Sequence, residues 1–575
     1  MTVDSRYRRL RVTAITVALS ALPGALGGML LGGLLFFLNP ELPFAPAPVV
    51  SAALYYGLPL AVFSLLGHLV LTRGSLLDTW RLFPFSLGAV FAATASVAFV
   101  HASRFAFLLP PGINRRLLKL GLLVALCALA VLATGLLHTI ARRAYSWRSK
   151  VFFFCVVFIS LYSVVERRDA FGILEVRSQD PNRIASRARP TLAVVGLEAA
   201  TFDVLLPLIE QGRAPFFARI RSEGVTGGLI PPADPHRSAR WTTIATGKHP
   251  FLHGIVDDNL WTAPFLSSTE LRMLPRGLGF EHWGVAETRR PVTASDRQAM
   301  TLWEILARVG LSVEVVGWPV SDPAPESVRV HLSDTFFVTG GVETDDQGPM
   351  IERARLFQAR PSRLDPTLTA RFGDDPPEGI LDAVAQDEWR RNLAYFLAAQ
   401  TPPPDALFVR LPGLEAVSEA TFGAWYTIAF EGIQDARAEP EAQRLAAYYS
   451  WLDEVVAGLW EQLPEPRVLV IVAPAGSGPP PAWRRAWDQW SGRATTTAGP
   501  EGPGIIMIFG DGIEPGQVLG DVDPVDIVPT LLYALGLPVA DDLSGATLTD
   551  VFDASTLARQ PLLLVPSYEG LTETD

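Results

Sequence analysis

Residues 191–224, TLAVVGLEAATFDVLLPLIEQGRAPFFARIRSEG, decide the fold class of this chain. The apolar run 192–197 predicts a buried strand, and after a turn the apolar positions recur at helical spacing. Strand and helix continue to alternate as far as the stretch VDIVPTLLYALGLP, which ends at residue 538. This pattern predicts an α/β domain with a largely parallel sheet, over residues 191–555, whose site lies at the carboxyl ends of the strands.

The region before this domain, residues 1–170, is predicted to be an all-α membrane domain. A bilayer core requires about 20 apolar residues per helix. Apolar runs of this kind predict about five transmembrane helices, at 12–38, 47–72, 83–101, 118–140 and 150–166. A secretory signal peptide is the competing interpretation of the first run, but the run is too long and further spans follow.

Charge separates the two parts of the chain. Residues 1–170 carry 16 Lys and Arg against 5 Asp and Glu; the whole chain has a net charge of −11, which leaves −22 for the remainder. An acidic domain repels phosphates, so nucleic acid is excluded as a partner. Polar residues 171–190 are predicted to form a linker, and residues 556–575 a flexible tail.

Positive charge predicts the orientation. The N-terminus and the second and fourth loops carry ten Lys and Arg, whereas the first loop, the third loop and the end of the fifth run carry six. This difference predicts a multi-pass protein of the cytoplasmic (inner) membrane, with a cytoplasmic N-terminus and a periplasmic or extracellular soluble domain. If the fifth run does not span, the soluble domain is cytoplasmic instead.

Three stretches carry a resemblance to a known family: the opening segment quoted above, SARWTTIATGKHPFLHGIVDD (238–258) and VDIVPTLLYALGLP (525–538). From about 191 to 552 the chain resembles the type I phosphodiesterase/nucleotide pyrophosphatase branch of the alkaline phosphatase superfamily. The resemblance implies an alkaline-phosphatase-like three-layer sandwich, and in that superfamily two zinc or manganese ions perform the chemistry. The expected fold is therefore this sandwich preceded by the transmembrane bundle.

The resemblance also assigns active-site positions, and the residues at them are not those of the family. Glu198 stands for the metal-binding aspartate after the first strand, and Arg237 stands for the nucleophile. Ser238 is the nucleophile only if the alignment shifts by one residue. The later metal ligands of the family correspond to Glu415, Glu419, Pro474, Ala475 and Pro500. We therefore expect no catalytic residue, no metal and no cofactor, because proline and alanine offer no side-chain ligand and arginine cannot act as a nucleophile.

Histidine usage agrees with this expectation. The last histidine is His331, so the final 244 residues contain none, and Cys127 and Cys155 both lie in apolar runs. Neutral imidazole is a common zinc ligand. His249 and His253 are interpreted as structural, since the family has a structural histidine in its HGI motif, and His236 alone does not make a two-metal site.

Three hypotheses account for the glutamates at the former metal positions. In the first, the Arg237 guanidinium pairs with one or more of Glu198, Glu415 and Glu419. In the second, the three carboxylates bind one hard cation such as Ca²⁺ or Mg²⁺. In the third, they are simply solvated. Metal-free general acid or base catalysis by these residues is a further, disfavoured alternative.

Three tryptophans and two basic residues each allow two interpretations. Trp483, Trp487 and Trp490 share one helix face and are interpreted as packing on their own domain, with docking on a membrane interface, a glycan or a protein as the alternative. Arg240 and Lys248 are interpreted as surface charges, with anion binding as the alternative.

The favoured function is that of a membrane-anchored, catalytically inactive phosphodiesterase-like protein, a pseudoenzyme of the bacterial cell envelope. Its partners are the lipid bilayer and an envelope protein complex, a lipid or a glycan. The alternative is an active metal-dependent phosphodiesterase or sulfatase-like hydrolase, or a transferase of lipid or glycan head groups. Fold alone does not decide between them.

Overall fold

The computed structural model describes residues 3–40, 42, 45–165, 189–230, 236–262, 270–275, 288–338, 366–373, 376–432, 436–491 and 498–569. The chain divides into two units. The first unit contains Met1–Ile173 and Val256–Val292, and the second contains Leu174–Ile255 and Thr293–Asp575. Most of the linker predicted at 171–190 lies outside the described residues.

Long helices dominate the first unit. They are α1 (Val3–Leu38), α2 (Pro46–Thr72), α3 (Leu76–Arg104), α4 (Pro111–Ile140) and α5 (Trp147–Val165). Each of these five helices contains a stretch that is long and apolar enough to cross a membrane. The five predicted runs are therefore confirmed as helices, and α3 and α4 begin seven residues earlier than predicted.

Glycine residues of α1 allow the backbones of α1 and α2 to pack at close distance. A Cβ atom at Gly28 would lie 2.3 Å from the Cα of Gly57, and one at Gly24 would lie 1.9 Å from the carbonyl oxygen of Leu60. Gly24 and Gly28 are four residues apart, so they lie on the same face of α1. Small residues at this spacing let two helix backbones pack closely in lipid, where apolar burial alone gives no preference for protein over lipid.

The segment 256–292 belongs to this unit and forms a small antiparallel sheet of strands β3 (Asn259–Thr262), β4 (Glu270–Leu271) and β5 (Thr288–Pro291). Leu271 and Leu274 pack with Leu35 and Phe36 of α1 in a buried cluster. Apolar contact thus holds a segment from the soluble half of the chain against the end of α1.

Asn39, one residue beyond α1, fixes this contact. Its side-chain Nδ2 donates to the carbonyl oxygens of Leu35 (2.9 Å) and Met273 (2.7 Å). Its Oδ1 accepts from the backbone N–H groups of Arg272 (2.8 Å) and Met273 (2.9 Å). These four bonds use both donors and both acceptor positions of the amide, which is buried. We call the contact between Asn39 and residues 272–273 the Asn39 clasp.

The second unit is built on an eight-stranded sheet in the order β13-β2-β12-β9-β1-β8-β6-β7. Strand β12 is antiparallel to both of its neighbours, and the other pairs are parallel. The strands of this sheet are β1 (Thr191–Leu197), β2 (Val225–Leu229), β6 (Val313–Trp318), β7 (Val330–Ser333), β8 (Ala406–Leu411), β9 (Arg467–Ala473), β12 (Gly504–Gly510) and β13 (Gln517–Val522). Two-stranded pairs are formed by β10 (Gly476–Gly478) with β11 (Gly499–Gly502), and by β14 (Val539–Ala540) with β15 (Leu564–Val565).

Several α-helices cover the two faces of the sheet, and the described part of this unit contains thirteen α-helices. They are α6 (Phe202–Glu210), α7 (Pro215–Glu223), α8 (Arg237–Thr246), α9 (Pro250–His253), α10 (Leu302–Arg308), α11 (Asp334–Val338), α12 (Pro366–Ala370), α13 (Glu378–Ala398), α14 (Gly413–Ala429), α15 (Glu439–Gln462), α16 (Ala482–Trp490), α17 (Ile527–Ala534) and α18 (Ala554–Arg559). Strand β1 alternates between two cores: Val195 packs with α6, α7 and α13 to α15, whereas Val194 packs with α8, α10 and α17. This α/β/α arrangement confirms the predicted three-layer fold.

Two sequence interpretations are wrong. Residues 556–569, assigned to a flexible tail, complete α18, pair β15 with β14 and bury Tyr568. Their apolar positions pack on the domain, so the folded unit extends to at least residue 569; residues 570–575 lie outside the described range. The three tryptophans of α16 do not pack on their own domain: Trp483, Trp487 and Trp490 are 73%, 56% and 78% exposed.

Candidate functional site

The candidate site lies at the carboxyl ends of three central strands. Strand β1 pairs in parallel with β8 on one side and β9 on the other, with Gly196 opposite Arg410 and Val472. Glu198 follows β1, Pro474 and Ala475 follow β9, and Glu415 lies in the first turn of α14 after β8. The sheet therefore brings Glu198, Glu415, Pro474 and Ala475, four of the positions assigned from the sequence, to the same edge.

Glu198 is the centre of this site, and it is 4% exposed. Its Oε1 accepts hydrogen bonds from the indole Nε1 of Trp241 (2.5 Å) and from Nε of Arg410 (3.1 Å), and Arg410 Nη2 contacts the same oxygen. Arg237 Nε lies 3.8 Å away. Since the Arg410 side chain is only 3% exposed, Glu198 and Arg410 form a buried ion pair.

The protonation of Glu198 follows from these contacts. Burial raises the pKa of a carboxyl group, but the charge and hydrogen bonds of Arg410, with smaller contributions from Arg237 and Trp241, outweigh it and hold the pKa of Glu198 below its usual value. Glu198 is therefore an ionised carboxylate at neutral pH. A group held ionised by a permanent guanidinium is a poor general acid.

Arg237 begins α8 and connects two of the glutamates. Its Nη2 pairs with Oε2 of Glu415, and its Nε approaches Glu198 as described. The pairing predicted for Arg237 is therefore present, although its side chain is 46% exposed. Glu419 does not join it: the residue is exposed on α14 and forms none of the ion pairs found among the described residues.

Sequence reasoning missed Arg410 and Trp241. Arg410 lies in VRLPG, within a strand read only as an apolar element, and Trp241 lies on α8 with its ring 5.4 Å from the Arg410 guanidinium carbon. Gly196 makes room for this ring, because a Cβ atom there would lie 2.7 Å from it. A charged residue inside an otherwise apolar strand was the available signal, since buried arginine requires a partner.

Asp387, Arg390 and Tyr448 form a second buried polar cluster, separate from the pair of Glu198 and Arg410. Asp387 on α13 accepts from the Tyr448 hydroxyl (2.8 Å) and from the backbone N–H of Gly413 (3.0 Å). Burial raises the pKa of Asp387 to about 6 despite the nearby charge of Arg390. Burial also lowers the pKa of Arg390 to about 10, and its guanidinium lies 4.2 Å from the Phe337 ring. The hydrogen bonds of Asp387 therefore link helices α13, α14 and α15.

The histidines near the site have structural contacts. His253 accepts from the backbone N–H of Ile255 at Nδ1 (3.2 Å), so its Nε2 carries the proton and donates to the Thr243 hydroxyl (3.1 Å). The ring of His249 stacks on Phe251. His236 precedes α8 and His331 is buried in β7, where burial lowers its pKa to about 4.

Two basic residues that were read as surface charges are buried. Arg240 and Lys248 are buried, so reading them as surface charges was wrong. The Lys248 ammonium pairs with Asp542 and Glu569, each at 2.8 Å. Ser238 is half-buried at the second position of α8, and the backbone of Pro500 lies in β11.

The family model described as type I phosphodiesterase/nucleotide pyrophosphatase matches residues 192–479, just over half of the chain. The chain belongs to this family. The matched range contains Glu198, Arg237, Arg410 and Glu415, whereas Pro500 lies outside it. A search of curated proteins found no match.

Solved structures similar to this phosphodiesterase-family chain include three enzymes. Phosphonoacetate hydrolase from Sinorhizobium meliloti 1021 is 18% identical, with a TM-score of 0.31; the match covers 53% of this chain and 62% of the hydrolase. Murine ectonucleotide pyrophosphatase/phosphodiesterase 5 is 11% identical (TM-score 0.38), over 64% of this chain and all of that one. Alkaline phosphatase PafA is 11% identical (TM-score 0.41), with the same coverage.

The two-metal site implied by the family does not fit these residues. The one carboxylate at the end of β1 already accepts hydrogen bonds from Arg410 and Trp241, and Pro474 and Ala475 offer no side-chain donor atom. Within the described ranges no group of three or more His, Cys, Asp or Glu side chains is placed to hold a metal ion. Two guanidinium groups next to Glu198 would repel a divalent cation.

Proposed function

We propose that this chain is a catalytically inactive member of the type I phosphodiesterase family, anchored in a membrane and serving as a binding or scaffolding module. The single observation that supports this proposal is the buried pair of Glu198 and Arg410. It places a permanent positive charge where the family's chemistry requires metal cations. The site is then a structural ion-pair centre that holds strands β1 and β8 to α8.

The other residues support the same conclusion. Arg237 stands at the family's nucleophile position, and a guanidinium does not deprotonate in proteins. Its charge is shared between Glu198 and Glu415. A metal ion would have to displace both guanidinium groups from Glu198, leaving a buried arginine without its carboxylate. Because an unpaired buried charge costs several kcal/mol, we propose that the site takes neither zinc nor manganese.

The purified full chain in detergent or nanodiscs tests this function. After incubation with Zn²⁺ and Mn²⁺ and gel filtration, we expect negligible bound metal and no hydrolysis of bis-p-nitrophenyl phosphate or p-nitrophenyl phosphate. Glu198→Gln is the matched control, because it removes the only carboxylate at the end of β1. Two metals per chain, or hydrolysis that Glu198→Gln abolishes, would overturn the proposal and make this chain an active hydrolase.

For the location, we propose a multi-pass protein of the cytoplasmic membrane with its N-terminus in the cytoplasm and its soluble domain outside. The ten-to-six distribution of Lys and Arg supports this orientation. The Asn39 clasp adds an independent argument: a segment of the soluble half binds the end of α1, so that end and the soluble half share one side of the membrane. The N-terminus of α1 is then on the opposite side.

Reporter fusions test the orientation. An alkaline phosphatase reporter, active only outside the cytoplasm, should be active at the C-terminus and inactive when fused after Arg143, in the loop between α4 and α5. A fluorescent protein that matures only in the cytoplasm should give the opposite pattern. Fluorescence at the C-terminus together with an inactive phosphatase reporter there would place the soluble domain in the cytoplasm.

A further inference from the structure

Helix α16 presents an unusual surface for a domain that folds in water. Trp483, Trp487 and Trp490 are all more than half exposed, and they follow one another at the spacing of a single helix face. The rings of Trp487 and Trp490 contact each other, with centroids 5.1 Å apart. Contiguous exposed aromatic surface of this kind marks an interaction site more often than a scattered single side chain does. We call these three side chains the tryptophan face.

The opposite side of α16 is fixed to the domain. Arg485 forms an ion pair with Glu431, just after α14, and its guanidinium carbon lies 5.4 Å from the centre of the Tyr426 ring. Tyr426 in turn stacks on Phe430, whose side chain is 51% exposed. The helix is therefore held by Arg485, with the tryptophan face directed outward and a fourth aromatic side chain near its anchor.

Charge and composition indicate the partner. Tryptophan is favoured at the boundary between lipid and water, because its indole combines a large apolar ring with an N–H donor. Arg484, also exposed, follows Trp483 directly, and a guanidinium can bind a phosphate group. Arg485 is already paired with Glu431, so Arg484 is the cation of α16 that can meet an anionic head group. The soluble half as a whole, with a net charge of −22, repels such a surface.

We propose that the tryptophan face docks on the phospholipid head-group region of the membrane in which the chain is anchored. A tethered domain needs only weak affinity for this surface, because the anchor keeps the local lipid concentration high. A glycan is a poorer fit: sugar hydroxyls require polar partners beside the aromatic rings, and the residue between Trp483 and Trp487 nearest the face is the exposed Ala486. Docking would hold α16, and through Arg485 the end of α14, at the membrane surface.

A fluorescent label on the full chain tests this proposal. In a background of Cys127→Ser and Cys155→Ser, Ala486→Cys carries an environment-sensitive dye in nanodiscs of phosphatidylcholine and phosphatidylglycerol. We expect lipids with a spin label near the head group to quench most of the dye fluorescence, and aqueous iodide to quench little of it. Val518→Cys, exposed on β13 of the same unit, is the matched control and should show the reverse.

The variants separate the outcomes. Replacing Trp483, Trp487 and Trp490 together with serine should abolish quenching by lipid and restore quenching by iodide, without lowering the melting temperature, because the side chains are exposed. Arg484→Glu should weaken quenching by lipid only when phosphatidylglycerol is present. A dye open to iodide in the unsubstituted tryptophan background overturns the proposal. A dye protected from both quenchers also overturns it, since a protein or a second copy then covers the face.

Discussion

Replacing Arg410 with methionine should lower the free energy of unfolding of the soluble unit by about 3–5 kcal/mol, the range for removing one partner of a buried ion pair. The cause is the carboxylate that remains: Glu198 would be buried and ionised with only Trp241 and the more distant Arg237 nearby. Urea unfolding of the full chain in detergent, followed by tryptophan fluorescence, measures this loss. Of the 14 tryptophans only Trp80 and Trp147 precede residue 170, so the signal reports mainly on the soluble half.

Two controls make this prediction specific. Arg237→Ala also removes a guanidinium group near Glu198. Because the Arg237 side chain is 46% exposed, we expect this variant to lower the free energy of unfolding by about 1 kcal/mol or less. Glu198→Met combined with Arg410→Met should be at least about 1 kcal/mol more stable than Arg410→Met alone, because no buried charge remains unpaired. Equal effects of Arg410→Met and Arg237→Ala would contradict the buried pair as the centre of the site.

Acid should weaken the same pair. The pKa of Glu198 is lowered in the folded chain, so its contribution to stability is present above the unfolded carboxyl pKa of about 4.3 and is lost as pH falls through the lower folded value. The unfolding midpoint of the native chain should therefore decrease more steeply below about pH 4 than that of Glu198→Gln.

Asn39→Leu should release residues 270–275 from the end of α1. The substitution keeps four side-chain non-hydrogen atoms but removes four hydrogen bonds, so the backbone N–H groups of Arg272 and Met273 lose the acceptor that Asn39 provides. Unsatisfied buried groups cost about 1–3 kcal/mol each. A local loss of about 3 kcal/mol corresponds to exchange about 100-fold faster at the two amides bonded to Oδ1. Hydrogen–deuterium exchange of the full chain measures these amides directly.

A second asparagine provides the comparison. Asn114, on α4, donates to the carbonyl oxygens of Ala106 and Leu109 and makes no contact with the segment 270–275. Asn114→Leu should therefore leave exchange at Arg272 and Met273 unchanged. If Asn39→Leu also leaves it unchanged, the apolar cluster of Leu35, Phe36, Leu271 and Leu274 holds the segment without the clasp.

Hydrophobic pattern explains what the sequence predicted well. The five membrane helices and the order of strands and helices depend on local composition and periodicity, which a single sequence displays. The positions of Glu198, Arg237 and Glu415 at one edge of the sheet followed from the family resemblance and from the rule for parallel strands.

Register and packing explain what the sequence did not predict. Arg410 becomes the partner of Glu198 because β1 and β8 pair with Gly196 opposite Arg410, and no local pattern encodes that register. Glu419 was expected near the other glutamates, but it lies one turn further along the same face of α14, about 6 Å along the helix axis, and is exposed there. The prediction that the tryptophan face packs on its own domain was wrong for a related reason. Helical spacing shows that three side chains share a face, but not whether the domain covers that face.

The Asn39 clasp can form only after residues 272–273 have been synthesised, which sets an order for two folding steps. Asn39 and Met273 are 234 residues apart in the chain, so α1 leaves the ribosome long before its partner strand exists. At synthesis rates of about 5–20 residues per second, the delay is on the order of tens of seconds. During that time Asn39 and the apolar end of α1 lack their native cover. The contact between the end of α1 and residues 272–273 therefore forms in a second stage, after this later part of the chain has been synthesised.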